Sequence, residues 1–214
     1  MIEPHEFVRA VQPLLEKRDL RGLVELLRRR WSKQQIVELL RGNDVDARKV
    51  AMVALSLVGC RECLCELIHH LKDPDPVVNQ VAEHAIWSIW FRLGSAPANC
   101  EVHRGVQAMN AGRYDQAIRH FTRAIEMCPD FAEAWNQRAV ARYLTEDYAA
   151  SLSDAHQAVA LNPHHFGAWS GVGHCCACLG RFDEAIEAYQ RALEINPHLD
   201  CVAEAIVELR TRLN

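Results

Sequence analysis

The chain has 214 residues, half of them hydrophobic and 24% charged, with a net charge of −4 at pH 7. That balance suits a globular protein with a sizeable core and gives no global field to recruit nucleic acid. The longest apolar run, Val50–Cys60, is too short to cross a bilayer, so no membrane insertion is expected.

The acidic start MIEPHEF lacks the apolar stretch of a secretory signal. Nine cysteines without such a signal point to free thiols in a reducing, cytoplasmic setting. Residues 4–30 are expected to form two helices. RRRW (Arg28–Trp31) is the one basic cluster and reads as a solvated helix face, so no nucleic-acid partner is expected. Ser32 followed by Gln35 is a capping-box start. The stretch IVELLRG (Ile36–Gly42) is matched by LIHHLKD (Leu67–Asp73), and DVDARKVAMVALSLVG (Asp44–Gly59) by DPVVNQVAEHAIWSIW (Asp75–Trp90), both at an offset of 31. Ala51 then meets Ala82, Ala54 meets Ala85 and Leu55 meets Ile86, each on an amphipathic helix. Gly42-Asn43-Asp44 and Asp73-Pro74-Asp75-Pro76 break the chain between helices, with Asp44 and Asp75 placed as N-caps. KDPDPVVNQVAEHAI resembles the start of a HEAT repeat of the short variety, and the resemblance implies HEAT-like helical repeats over residues 1–97.

CRECLCELIHH (Cys60–His70) gathers three cysteines and two histidines. Cys65 and His69 are four apart and could share a helix face as zinc ligands do, but Cys63 and Cys65 point to different sides. No second Cys-x-x-Cys completes a set, and Leu64, Leu67, Ile68 and Leu71 already supply the buried stripe. No metal is therefore expected here; the thiols pack as small apolar groups.

The second half repeats itself. RYDQAIRHFTRAIEMCP (Arg113–Pro129), DYAASLSDAHQAVALNP (Asp147–Pro163) and RFDEAIEAYQRALEINP (Arg181–Pro197) end in prolines 34 residues apart. Three units follow, 98–131, 132–165 and 166–199. Small residues recur at their eighth place (Gly105, Ala139, Gly173), where crossing helices approach, and Phe121, Ala155 and Tyr189 stand sixteen residues on. Gly112 and Gly180 sit in the turn inside the outer units, and Asp147 marks that turn in the middle one. The prolines cannot continue a helix, so each ends a helix pair.

This pattern resembles the tetratricopeptide repeat family over residues 98–199, and AEAWNQRAVARYL opens the second unit in the family's manner. Departures are Glu101 where the other units have Trp135 and Trp169, Arg104 and Arg138 at a place usually held by leucine, and Ala108, Arg142 and Cys176 at a place usually aromatic. In 200–214 the apolar residues Val202, Ala205, Ile206, Leu209 and Leu213 have helical spacing, as in a helix that caps a solenoid. The fold class is all-α: a right-handed α-solenoid, HEAT-like and then three tetratricopeptide repeats with a C-terminal capping helix.

The resemblance also implies a concave groove that grips a peptide or helix of a partner. By family position its lining is Asn99, Val102, His103, Val106, Met109 and Asn110 in the first unit. In the second it is Glu133, Asn136, Gln137, Val140, Tyr143 and Leu144, and in the third Gly167, Ser170, Gly171, His174, Ala177 and Cys178. HCCAC (His174–Cys178) reads as small packing residues of the third unit. Arg104, Arg138 and Arg142 are placed on the groove's flank as a basic ridge, either paired with internal carboxylates or open to an acidic ligand. The lysine-asparagine-arginine clamp that some family members use for chaperone tails meets Val102, Val106, Gly167 and Gly171 here, so binding of a chaperone C-terminal tail is not expected. There is no phosphate loop, HExxH or nucleophile elbow, and no catalytic residue or cofactor is expected. The expected function is a non-catalytic protein-interaction scaffold. The alternative is a regulatory or accessory module of a larger enzyme or metal-handling system that uses Cys60–His70.

Overall fold

The computed structural model of the chain describes residues 2–213; Met1, Asn214 and the side chain of Leu213 lie outside the described residues. Thirteen α-helices and two short 3-10 turns follow one another, with no strand among the described residues. The chain divides into two compact units, one ending at Trp90 and one beginning at Phe91. Expected at 97/98, the boundary falls earlier because Phe91 and Leu93 pack against the core of the second unit. A Cβ on Gly94 would also lie 2.5 Å from the Phe131 ring, so this segment is pressed onto the second unit.

The first unit holds α1 (Pro4–Glu16), α2 (Leu20–Arg30), α3 (Lys33–Leu40), α4 (Val45–Val58), α5 (Leu64–His69) and α6 (Pro76–Trp90). Its starts are written in the sequence. Ser32 and Gln35 form the reciprocal capping box, Gln35 N–H donating to Ser32 Oγ at 3.2 Å and Ser32 N–H to Gln35 Oε1 at 2.9 Å. Asp44 caps α4 by accepting from Ala47 N–H at 3.0 Å, and Asp75 caps α6 by accepting from Val77 N–H at 2.8 Å. Helix α4 packs on α1, α2, α3 and α6. The small residues Ala51 and Ala54 on α4 and Ala82 and Ala85 on α6 are fully buried, which lets helix backbones come close. Phe7, Leu23, Leu27, Ile36 and Leu55 fill the rest of this core, each contributing about 1.5–3 kcal/mol by leaving water.

The second unit holds α7 (Ala96–Asn110), α8 (Tyr114–Met127), α9 (Ala132–Leu144), α10 (Tyr148–Leu161), α11 (Phe166–Cys178), α12 (Phe182–Ile195) and α13 (Asp200–Leu213). Each helix packs on the next, and in addition α7 touches α9 and α9 touches α11. First helices that meet one another in this way line the inner side of a curved stack. The three inner turns close alike. Arg113, Asp147 and Arg181 N–H groups reach back to the carbonyls of Ala108, Arg142 and Cys176 at 2.9, 3.0 and 2.9 Å, the 6→1 bond of a Schellman end. That end needs a left-handed residue just before it, supplied by Gly112 (φ 70°), Glu146 (φ 62°) and Gly180 (φ 75°).

Helix pairs cross where the eighth-place residue is small. A Cβ on Gly105 would come within 2.4 Å of the Phe121 ring, and one on Gly173 within 2.4 Å of the Tyr189 ring. The middle repeat solves the same crossing with Ala139 against Ala155. Val202, Ile206 and Leu209 of α13 are buried in the cluster built by α11 and α12 and close the end of the stack.

Candidate functional site

The inner face of the second unit carries a recess of about 240 Å³ between α9 and α11. Asn136, Ala139, Val140 and Tyr143 line it from α9, Gly167, Ser170, Gly171, His174 and Cys175 from α11, and Ser151 from α10. Gly167 and Gly171 create the room, since neither sends a side chain into it. The floor is tied down: Ser151 Oγ donates to the Ala139 carbonyl at 2.7 Å, and Cys175 Sγ donates to Ser151 Oγ at 3.1 Å.

Aromatic groups form the far wall. Tyr143 stacks near Tyr148 and His174, with ring centroids 5.4 and 6.1 Å apart. Its hydroxyl lies 3.6 Å from Cys178 Sγ, and that contact, with partial burial, pushes the Tyr143 pKa up to about 12. Tyr189 Oη meets His174 Nδ1 at 2.7 Å. His174 is open to the solvent of the groove but crowded by protein, and this desolvation lowers its pKa and favours the neutral imidazole. A neutral, largely apolar recess with a few polar edges suits a side chain of an extended ligand.

The expected lining separates into two sets. His103, Asn110, Val140, Leu144, His174 and Cys178 are exposed, and Val106, Met109, Tyr143 and Ser170 are partly so. His103 Nε2 is occupied by Gln107 Nε2 at 3.0 Å, and Ser170 Oγ donates to the Phe166 carbonyl at 2.9 Å. Asn99 and Val102 do not serve as expected. Asn99 Nδ2 donates to the carbonyls of Arg92 and Gly94 at 3.3 and 3.0 Å and so fastens the turn before α7. Val102 is buried in the core of the second unit. Glu133, Asn136 and Gln137 are nearly closed off and bonded to one another, with Glu133 Oε1 accepting from Gln137 Nε2 at 2.6 Å and Asn136 Nδ2 at 3.4 Å.

The arginine ridge is consumed inside the unit. Arg138 Nε and Nη2 donate to Asp154 at 2.8 Å each, its Nη1 donates to Thr122 Oγ1 at 3.0 Å, and its guanidinium sits 4.9 Å from the Trp135 ring. Arg142 Nη1 donates to the same carboxylate at 2.8 Å. Arg104 pairs with Glu101 at 2.5 Å. Glu101 stands at the place of Trp135 and Trp169, and is buried against His120 at 2.7 Å, which lowers its pKa. The partners His120, Asp154, His165 and Tyr189 were not legible as site residues, because they lie on other helices or loops at sequence distances with no local pattern.

The Cys60–His70 stretch does not assemble a ligand set. Cys60 and Cys63 sulfurs approach to 3.8 Å, while Cys65 and His69 are exposed. His70 is buried with Nδ1 3.5 Å from Asp73 Oδ2, and burial lowers its pKa against the opposing pull of that carboxylate. Among the described residues no three His, Cys, Asp or Glu side chains gather where they could hold a metal. The alternative reading that uses this cluster thus has no geometric support. Among the described residues no helix is long and apolar enough to cross a membrane.

Comparison with known proteins places this geometry. The tetratricopeptide repeat family model matches residues 104–155 and 167–199. A TPR repeat-containing protein of Rhizobium etli is 31% identical over 140 residues, covering 64% of this chain and 68% of that protein. The small glutamine-rich tetratricopeptide repeat-containing protein 2 of Mycosarcoma maydis is 31% identical over 110 residues, and the match spans 51% of this chain but only 31% of that protein. Among solved structures, the first TPR of Spaghetti (RPAP3) bound to the HSP90 peptide SRMEEVD is similar, with a TM-score of 0.55 and 28% identity, covering 56% of this chain and 94% of that one.

This last likeness overturns the expectation that the groove is not a chaperone-tail clamp. The exclusion rested on side chains absent from four positions. Val102 is in the core, so its identity reports packing and not the ligand, and Gly167 and Gly171 open the recess. These comparisons do not show HEAT-like repeats in the first unit. On the repeats of its second unit and its relationship to the Rhizobium protein, the chain belongs to the tetratricopeptide repeat family.

Proposed function

We propose that the chain is a non-catalytic adaptor whose groove across α9 and α11 takes the acidic C-terminal peptide of a chaperone-type partner in extended form. The observation that carries this reading is the recess between the two inner helices, open to solvent and walled by Val140, Tyr143 and His174. The likeness to a domain with an HSP90 peptide bound supports the choice of ligand. The nine cysteines, all free thiols, fit a reducing cytoplasmic compartment.

The first unit is read as HEAT-like, from the burial of Ala51, Ala54 and Leu55 on α4 and of Ala82, Ala85 and Ile86 on α6, at the same 31-residue offset.

Titration of labelled SRMEEVD into the intact protein tests the assignment, alongside a variant carrying Asn136→Ala, Tyr143→Ala and His174→Ala. Binding that weakens at least about tenfold in a variant with unchanged helical circular dichroism supports it, a loss on the scale of one buried contact. Equal affinity for both proteins removes the groove from the account.

A further inference from the structure

The turn between α4 and α5 holds two thiols against each other. Cys60 Sγ lies 3.8 Å from Cys63 Sγ. Cys63 N–H donates to the Cys60 carbonyl at 3.0 Å, so the two residues begin and end one tight turn. Residues so related have Cα atoms less than about 7 Å apart, and a disulfide spans about 4.4–6.8 Å between Cα atoms. Closing the bond therefore asks for side-chain rotation and little backbone movement.

The turn is held in place. A Cβ on Gly59 would lie 2.4 Å from the Leu55 carbonyl oxygen and 2.7 Å from Ile89 Cδ1, so the chain entering it is pressed between α4 and α6. The two thiols differ in access: Cys60 is half-buried, and Cys63 is 2% exposed. Cys65 is exposed and, two residues on, faces away from Cys63.

We propose that Cys60 and Cys63 form a reversible oxidation site for small disulfides of the glutathione class. Exchange runs in two steps. The Cys60 thiolate attacks one sulfur of oxidised glutathione, forms a Cys60–glutathione disulfide and releases one glutathione thiolate. The Cys63 thiolate then attacks Cys60 Sγ, forms the Cys60–Cys63 bond and expels the second glutathione thiolate. Two protein thiols are oxidised, one glutathione disulfide is reduced, and the two protons lost by the cysteines end on the two glutathione thiols. Burial first, and then the hydrogen bond that the Cys60 thiol donates to the Glu62 carboxylate, pushes the Cys60 pKa up. Little thiolate is present at neutral pH, so the site answers the standing ratio of oxidised to reduced glutathione and not a brief pulse of oxidant. In a reducing pool it stays a dithiol; in an oxidised one the closed bond pins the α4–α5 turn. Both thiols lie in the first unit, and the proposal is independent of the groove reading.

A fold that holds two thiols together favours their bond by the same factor by which the bond favours the fold. The test equilibrates the intact chain carrying Cys65→Ser in mixtures of reduced and oxidised glutathione, folded in buffer and unfolded in urea, and maps the Cys60–Cys63 link by mass after acid quenching. The folded protein is expected to reach half-oxidation at a proportion of oxidised glutathione at least about tenfold lower than the unfolded chain. Adding Cys63→Ser is expected to stop the reaction with one glutathione on Cys60. Adding Cys60→Ser instead, a change at the more open thiol, is expected to leave Cys63 unmodified in the folded protein, and it carries the test alone if Cys63→Ser loses its helical circular dichroism. Half-oxidation of the folded protein at the same or a more oxidising ratio than the unfolded chain overturns the proposal. So does a glutathione adduct on Cys60 that Cys63 never resolves, glutathione on Cys63 in folded Cys60→Ser, or a folded chain whose two thiols stay reduced in oxidised glutathione alone.

Discussion

Arg138 grips Asp154 through two parallel hydrogen bonds of 2.8 Å, with the two side chains 11% and 3% exposed. The pair joins α9 to α10 at a place where related repeats use leucine, and Arg142 adds a third bond to the same carboxylate at 2.8 Å. Removing the shared acceptor leaves Arg138 and Arg142 without their counter-charge in a largely buried place. Asp154→Ala is therefore expected to lower unfolding free energy by about 3–5 kcal/mol, measured by urea denaturation. A loss below about 1 kcal/mol would show that the charges are well hydrated and the pair marginal.

Close crossing of α11 and α12 gives a second expectation. A methyl at Gly173 meets Tyr189 ring carbons at 2.4 Å, so Gly173→Ala overpacks the crossing and costs about 1–3 kcal/mol. The middle repeat tolerates alanine at both corresponding places, Ala139 and Ala155. Combining Gly173→Ala with Tyr189→Ala is therefore predicted to cost less than the sum of the two single changes. Strict additivity in thermal melts would rule out the steric cause.

Glu146 holds a left-handed conformation that Gly112 and Gly180 hold in the neighbouring repeats. A side chain there costs about 1–2 kcal/mol relative to glycine, partly offset by glycine's greater freedom when unfolded. Glu146→Gly is predicted to stabilise the protein by about 0.5–1 kcal/mol, with the denaturant midpoint as readout. Destabilisation would mean that the Glu146 side chain makes contacts worth more than the strain.

The Glu101 carboxyl is held below the usual carboxylate range, first by the hydrogen bond from His120 and then by Arg104, against the opposing effect of burial. Its folded pKa lies below the unfolded one. Its stabilisation is thus complete above the unfolded value of about 4.3 and is lost as pH falls through the lower folded value. Denaturation curves between pH 7 and pH 3 are expected to show a steeper acid loss for the unaltered protein than for Glu101→Gln. Parallel acid limbs would remove Glu101 from that dependence.

Much of the fold was legible because repeats write their packing at fixed intervals. Gly105, Ala139 and Gly173 announced the helix crossings, and the three prolines announced the repeat ends. Ser32, Gln35, Asp44 and Asp75 announced helix starts that the structure forms through their own side chains. The turn of the middle repeat was read from Asp147, whereas the strained residue is Glu146, since a non-glycine left-handed position leaves no mark in the sequence. The groove was legible in outline only. Family position put Asn99 and Val102 on its surface, but a hydrogen bond to the Gly94 carbonyl and a place in the core withdrew them. Asp154 and His165 carry the polar organisation of α9 from 16 and 32 residues away, and only three-dimensional proximity reveals that.

The most direct test of the central claim is an amide chemical-shift map of the intact protein titrated with SRMEEVD. The account predicts that the largest shifts fall on Asn136, Val140, Tyr143, Gly167, Ser170, Gly171 and His174, the lining of the recess between α9 and α11. Shifts confined to residues up to Trp90, or an unchanged spectrum at saturating peptide, would contradict it.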